Sequence, residues 1–300
     1  MTDSASAAGT IASERPWLGR TLRAIYIIWY RDLLRFWRDR TRLVASLAQP
    51  LLYLVVFGTG LSSALRGGAG GFPGAAGGGA GAGGGGGPVA GFSYTQFIFP
   101  GIIGMAILFS AIFGAMSIVW DREFGFLKEL LVAPIDRSAV AIGKTLGGAT
   151  QAMIQGLVLL LLAPFIGVEL TLSQVLALIP LTFTLAFALS ALGVAIASKM
   201  KSMQGFQMVM TFLMMPMFFL SGALFPLTGL PGWMKVLTRL DPAAYGMDPL
   251  RRAVLGAGGR ALPGITLFGR ELSTPVELGI LVAFGGVMLG VAIVNFRVAE

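Results

Sequence analysis

The chain contains no cysteine and no histidine. Their absence removes disulfides, thiol nucleophiles, Cys/His zinc sites and the side chain that most often shuttles protons near neutral pH. Charge is scarce as well. Charged residues make up 12% of the 300 residues, whereas a soluble domain carries about a quarter. So few charges cannot clothe a water-facing surface of this size. With 55% apolar residues and a mean hydropathy of +0.80, the natural solvent for the excess is lipid. Residues 1–14 are small and polar, with no apolar run behind a basic start, so they do not make a signal peptide. They are expected to form a disordered cytoplasmic tail.

What the sequence does have is long apolar runs. Six can cross roughly 30 Å of hydrocarbon at 1.5 Å per residue: about 43–61, 97–119, 145–168, 175–197, 205–227 and 276–296. The expected fold is therefore an all-α membrane protein, with a six-helix transmembrane domain over 43–297. None of the runs has a charged residue near its middle, which argues against ion or proton coupling through an intramembrane carboxylate. Lysines and arginines place both termini in the cytoplasm, because the segments inside under that orientation hold most of the cations. The loop before the last run is an exception, with Lys235, Arg239, Arg251, Arg252, Arg260 and Arg270 outside.

The net charge of +8 is concentrated beside the first run rather than on a separate basic domain, so nucleic acid is not an expected partner. Residues 15–42 read as an amphipathic helix. Leu18, Leu22, Ile25, Trp29, Leu33 and Phe36 recur on one face, and Arg20, Arg23, Arg31, Arg35, Arg38 and Arg42 fall nearly opposite. Such a helix suits the lipid headgroup layer; a soluble helix packed on a partner has the same pattern. In 67–87, fourteen of 21 residues are glycine, which makes a flexible outer linker with no phosphate-loop chemistry. Gly143-Lys144-Thr145 imitates the end of a Walker A motif, but Ser138 stands where the first glycine is required. Lys144 is read instead as an interfacial anchor of the third span. Gly143/Gly147 and Gly286/Gly290 have the spacing of close helix contacts. Residues 230–255, with Trp233, Tyr245 and cations, suit short helices at the outer surface.

The segment 121–135 is the most informative water-facing stretch. Phe124, Leu127, Leu130 and Leu131 make an apolar stripe, Arg122, Glu123, Lys128 and Glu129 face elsewhere, and Pro134 stops the helix. A short amphipathic helix of this kind can dock in a partner's groove or cover its own bundle. Asp121-Arg122-Glu123-Phe124-Gly125, followed by the run from Leu127 to Ile135, resembles the intracellular coupling region of ABC transporter type-2 permeases. That family includes daunorubicin-resistance and polysaccharide or lipid export permeases. Further matches are Gln49-Pro50-Leu51-Leu52-Tyr53, the stretch Phe219 to Leu227 with Leu230-Pro231-Gly232-Trp233, and Asp241-Pro242 through Asp248-Pro249-Leu250-Arg251. The glycine-rich linker is a departure, as is Phe126 where a smaller residue is common.

The resemblance implies a permease subunit that hydrolyses no ATP itself and binds no cofactor. ATP and Mg would be bound by a separate ABC ATPase subunit, and a second permease chain would complete a dimer in the cell membrane. It implies coupling through Asp121, Arg122, Glu123, Gly125, Leu127, Lys128, Leu130, Leu131 and Pro134. The cargo would be a hydrophobic or amphiphilic drug, lipid or glycan. The soft aromatic and methionine character of the second and fifth runs offers Phe109, Phe113, Met208, Phe212, Met215 and Phe219 as an export path, or as ordinary packing. A secondary transporter without an ATPase partner is the competing reading, and it would need inverted repeats and buried ionisable groups.

Overall fold

The computed structural model describes residues 17–56, 94–124, 136–168, 170–224, 231–260, 264–267 and 270–298. The tail 1–14, the linker 67–87 and residues Gly125, Leu127, Lys128, Leu130, Leu131 and Pro134 lie outside the described residues. The described chain is helical throughout, apart from one two-residue antiparallel pairing. In order it forms α1 (Trp17–Arg38), α2 (Arg40–Val55), α3 (Tyr94–Gly114), α4 (Met116–Glu123), α5 (Arg137–Leu160), a 3-10 turn (Ala163–Ile166), α6 (Leu172–Ala197), α7 (Met203–Leu220), α8 (Gly232–Leu240), α9 (Pro242–Arg260), β1 (Thr266–Leu267), β2 (Arg270–Glu271) and α10 (Thr274–Val298).

Local signals set the helix ends. The Asp136 side chain accepts from Ser138 N at 3.1 Å to start α5. Thr171 and Gln174 form a capping box on α6, and Ser202 accepts from Gly205 N to start α7. α7 ends at Ser221-Gly222, where Gly222 takes φ 76°, a left-handed value that glycine adopts without steric penalty.

The centre is a triangle of α3, α5 and α6, with α10 on α6, α1 on α5, α2 on α3 and α9 across α6 and α3. From Phe97 to Leu108 every residue of α3 is buried, which explains why its sequence is apolar all round rather than striped. Small residues let these helices approach closely. A Cβ on Gly148 would stand 2.4 Å from Ser190 Oγ, and one on Gly193 3.1 Å from the Ile112 backbone. Gly143 and Gly147 form the seat of α1: a Cβ on Gly143 would stand 2.9 Å from Ile28 Cβ, and one on Gly147 3.3 Å from Asp32 Cβ. Gly286 and Gly290 meet nothing within 4 Å.

Four stretches are long and apolar enough to cross a membrane: Thr95–Glu123, Leu172–Ala197, Met203–Leu220 and Thr274–Arg297. Val44–Val55 is apolar but shorter. The second expected run lies within Thr95–Glu123, which continues through a single turn residue, Ala115, where α3 passes into α4. Helix α5 starts at Arg137, ahead of the third run, because the Asp136 cap lies outside the apolar window. One expectation needs correction: Lys144 is buried inside the bundle rather than anchored at its surface.

The end of the molecule formed by α8, α9 and the start of α10 holds buried charge. Arg252 Nη2 lies 2.6 Å from Asp248 Oδ2 and 3.5 Å from Glu277 Oε1, while Ile265 N donates to the same Asp248 oxygen at 3.0 Å. Arg251 donates to Gly222 O and sits 4.6 Å from the Phe97 ring centroid, closing the end of α7 against α9. Asp241 caps α9 by accepting from Ala243 N at 2.9 Å. Its other oxygen has no partner among the described residues, and burial pushes its carboxyl up to about 8.

Two outcomes follow. Gly143→Leu should wedge α1 off α5 and lower stability by about 1–3 kcal/mol in detergent melting, whereas Gly290→Ala should leave the melting temperature unchanged. Between about pH 4 and pH 8 folded Asp241 keeps a proton that the unfolded chain releases, so stability should fall as pH rises through that window. Asp241→Asn retains the capping oxygen and should flatten that decline in melts at stepped pH.

Candidate functional site

Ser117 and Asp121 of α4, four residues apart, share one helical face toward α5 and α1. Lys144 of α5 meets them there. Its Nζ lies 3.1 Å from Asp121 Oδ2, 3.2 Å from Asp32 Oδ2 of α1, and donates to Ser117 Oγ at 3.1 Å. Arg31 Nη2 approaches both carboxylates at 3.6 Å from the half-exposed side. Two cations and two anions thus close a neutral cluster in which Lys144, Asp32 and Asp121 are all buried. Gln151 Nε2 adds a bond to Asp32 O at 3.1 Å, and Trp29 Nε1 one to Thr150 Oγ1 at 3.0 Å. α1 is thereby held to α5 by polar bonds as well as by the Gly143–Ile28 contact.

The two residues after Asp121 reach other helices. Arg122 forks onto the turn between α6 and α7, donating to Ser198 O and Met200 O at 2.7 Å each. These are carbonyls that the end of α6 leaves without helical partners. Glu123 Oε2 accepts from Met203 N at 3.1 Å, satisfying a free N–H at the first residue of α7. On the far side of 125–135, Arg137 donates to Arg297 O at 2.9 Å at the end of α10. Asn295 Nδ2 also donates to Ser198 Oγ at 2.9 Å. The residues flanking 125–135 are therefore bonded, through different side chains, to α1, α5, α7, α10 and the end of α6.

Of the residues expected to couple to a partner, Asp121, Arg122 and Glu123 come together in this junction. Phe124 is exposed, with its ring 5.4 Å from that of Trp120. Of those expected to line a path, Met208, Phe212, Met215 and Phe219 share one exposed face of α7, while Phe109 and Phe113 stack on each other at 6.4 Å in α3. The small apolar cavity between α3, α6, α7 and α9 is lined by Leu108, Leu189, Phe218 and Met247 among others, and by none of those six. Asp32, Lys144, Arg31 and Arg137 were missed from sequence. The available signal was a lone acid in an arginine-rich helix and, in α5, a lysine that is the one charge after the opening Arg137.

The ABC-2 type transporter family model matches residues 23–255, from the first turns of α1 to the middle of α9. The chain belongs to that family. It is 27% identical over 248 residues to the inner membrane transport permease YadH of Escherichia coli K12, covering 82% of this chain and 88% of that one. It is 27% identical over 233 residues to nodulation protein J of Rhizobium leguminosarum bv. viciae, covering 76% and 81%. This ABC-2 permease is a multi-pass protein of the cell membrane, and the junction around Lys144 lies wholly within the matched region.

Lys144→Met leaves Asp32 and Asp121 facing each other with only Arg31 between them, and should cost about 3–5 kcal/mol of stability. Adding Asp32→Asn and Asp121→Asn to that variant removes the repulsion and should restore much of the loss in the same detergent melt.

Proposed function

We propose that the chain is the membrane subunit of an ATP-driven exporter whose ATP and Mg are bound and turned over by a separate ABC ATPase subunit docked on 121–135. The observation that carries this reading is the junction itself. Asp121, Arg122 and Glu123 open the docking segment and grip α5 with α1, the end of α6 and the start of α7. A push on 125–135 by a partner thus reaches those helices at once, as a rigid-body switch between inward and outward access requires.

In this reading α2, α3 with α4, α5, α6, α7 and α10 are the six spans, both termini are cytoplasmic, and the domain limits are those expected from sequence. α1 lies along the cytoplasmic membrane surface. α5 crosses despite its polar residues because Lys144, Gln151 and Gln155 all point into the bundle and are bonded there. A second permease chain covers the exposed face of α7 that carries Met208, Phe212, Met215 and Phe219, and the adaptable thioether and aromatic surface suits a hydrophobic or amphiphilic cargo of the drug, lipid or glycan class. α8 and α9 cap the outer side.

Glu123→Arg reverses the charge at the α7 cap, and Leu127→Arg places a charge in the docking stripe. Each should leave the protein in the membrane while reducing both partner ATPase stimulation and export into inverted vesicles by at least about tenfold, the loss expected when a charged hydrogen bond or an apolar docking contact is broken. Survival of both activities would sink the docking assignment. Export driven by an ion gradient without any ATPase would instead establish a secondary transporter.

A further inference from the structure

Beside the C-terminal end of α1, next to the α1–α2 elbow, lies an open cavity of about 610 Å³, lined among the described residues by Arg31, Leu34, Arg35, Arg38 and the linking Asp39. It lies where α1 ends at Arg38 and α2 begins at Arg40, with Asp39 N donating to Arg35 O at 3.2 Å. Positions 31, 35 and 38 share one helical face. Their guanidinium groups are not equivalent. Arg31 is turned inward to Asp32 and Asp121 and is balanced there. Arg35 lies 5.9 Å from the Trp120 ring centroid, and both Arg35 and Arg38 are exposed. Against the single carboxylate of Asp39, these two leave the cavity an excess of positive charge.

The adjoining face of α1 is of another kind. Leu22, Tyr26, Tyr30 and Trp37 are all exposed along one side, and the rings of Tyr26 and Tyr30 stack at 5.9 Å. At 100° per residue Leu34 falls between this aromatic side and the arginines, so it is shared by the cavity and the apolar edge. Rings with polar tips settle at the boundary between hydrocarbon and headgroups. A molecule in the cavity therefore meets forked cations on one side and an apolar aromatic edge on the other.

The ligand that matches both is a lipid phosphodiester. Its phosphate oxygens accept the paired N–H groups of a guanidinium, and its acyl chains run past Leu34 along the Tyr30 and Trp37 side. A zwitterionic lipid brings its own cation to the arginines and is disfavoured there. We propose that the α1–α2 elbow binds the headgroup of an anionic phospholipid, with Arg35 and Arg38 holding its phosphate. The proposal rests on α1 lying at the membrane surface. Because Arg35 also lies 5.9 Å from the ring of Trp120, the residue before Asp121, a lipid held by Arg35 is linked through that side chain to the α4 turn that carries the junction.

Titrating the detergent-solubilised full chain with phosphatidylglycerol should raise its melting temperature to a plateau, while phosphatidylcholine and inorganic phosphate at matched ionic strength should not. Arg35→Gln with Arg38→Gln should melt like the parent in phosphatidylcholine and need about thirtyfold more phosphatidylglycerol for the half-maximal shift. An unchanged phosphatidylglycerol response in that variant, or an equal response to phosphate, overturns the site. If the double variant does not fold, Asp39→Asn reads the same cavity with both arginines in place. It should reach half-maximal shift at about fivefold less phosphatidylglycerol, and no change overturns the site. Since the chain has no cysteine, a nitroxide on Trp37→Cys reports separately on α1 in nanodiscs. Headgroup depth without lipid selectivity removes the site alone, whereas a water-exposed label removes the surface placement of α1 and the site with it.

Discussion

The end of the bundle where α1, α4 and α5 meet depends on one buried ammonium group. Lys144 enters the bundle on α5 and is surrounded by carboxylates from α1 and α4 and a hydroxyl from α4. A lysine this well buried is tolerated only when its charge is matched, and here Arg31 completes the balance so that neither acid is left in excess. The cluster requires α4 to present Ser117 and Asp121 inward, which their spacing of four residues on one helix provides. It requires α1 to lie against α5, which Gly143 and Gly147 permit. Ion pairing and close packing are therefore two parts of one joint.

The Asp-Arg-Glu run acquires a physical meaning from that joint. Its three side chains are adjacent in sequence but point to separate helices, and two of them satisfy backbone groups that helix ends leave free. A longer or shorter side chain at any of the three would leave a carbonyl, an N–H or an ammonium without its partner. Arg137 repeats the device on the other side of 125–135 by bonding the end of α10. The same few residues that flank 125–135 thus also satisfy the ends of three helices of the bundle.

The opposite end is built differently. There Asp248, Arg252 and Glu277 join α9 to α10, and Arg251 closes α7 through a carbonyl and an aromatic ring. Charge is again matched inside, but by short-range pairs around a helix kinked at Gly256 (φ 59°) rather than by a single cation shared among three helices. α7 bridges the two ends and is only partly enclosed, with Phe206, Met210 and Met214 turned inward and a whole apolar face outward.

The sequence by itself determined the solvent, the helical class and the family. Each of these is written in composition or in periodicity along one helix, and those signals survive without knowledge of neighbours. Uniformly apolar α3 was legible in the same way. Which charges are structural was not legible, because Asp32, Asp121 and Lys144 lie far apart in the chain and look like surface residues until three helices bring them within 3.2 Å. The same applies to glycine: the Gly143/Gly147 and Gly286/Gly290 pairs have identical spacing, yet only the first has a helix against it. Partner choice across helices is a property of packing, and only the tertiary structure decided it.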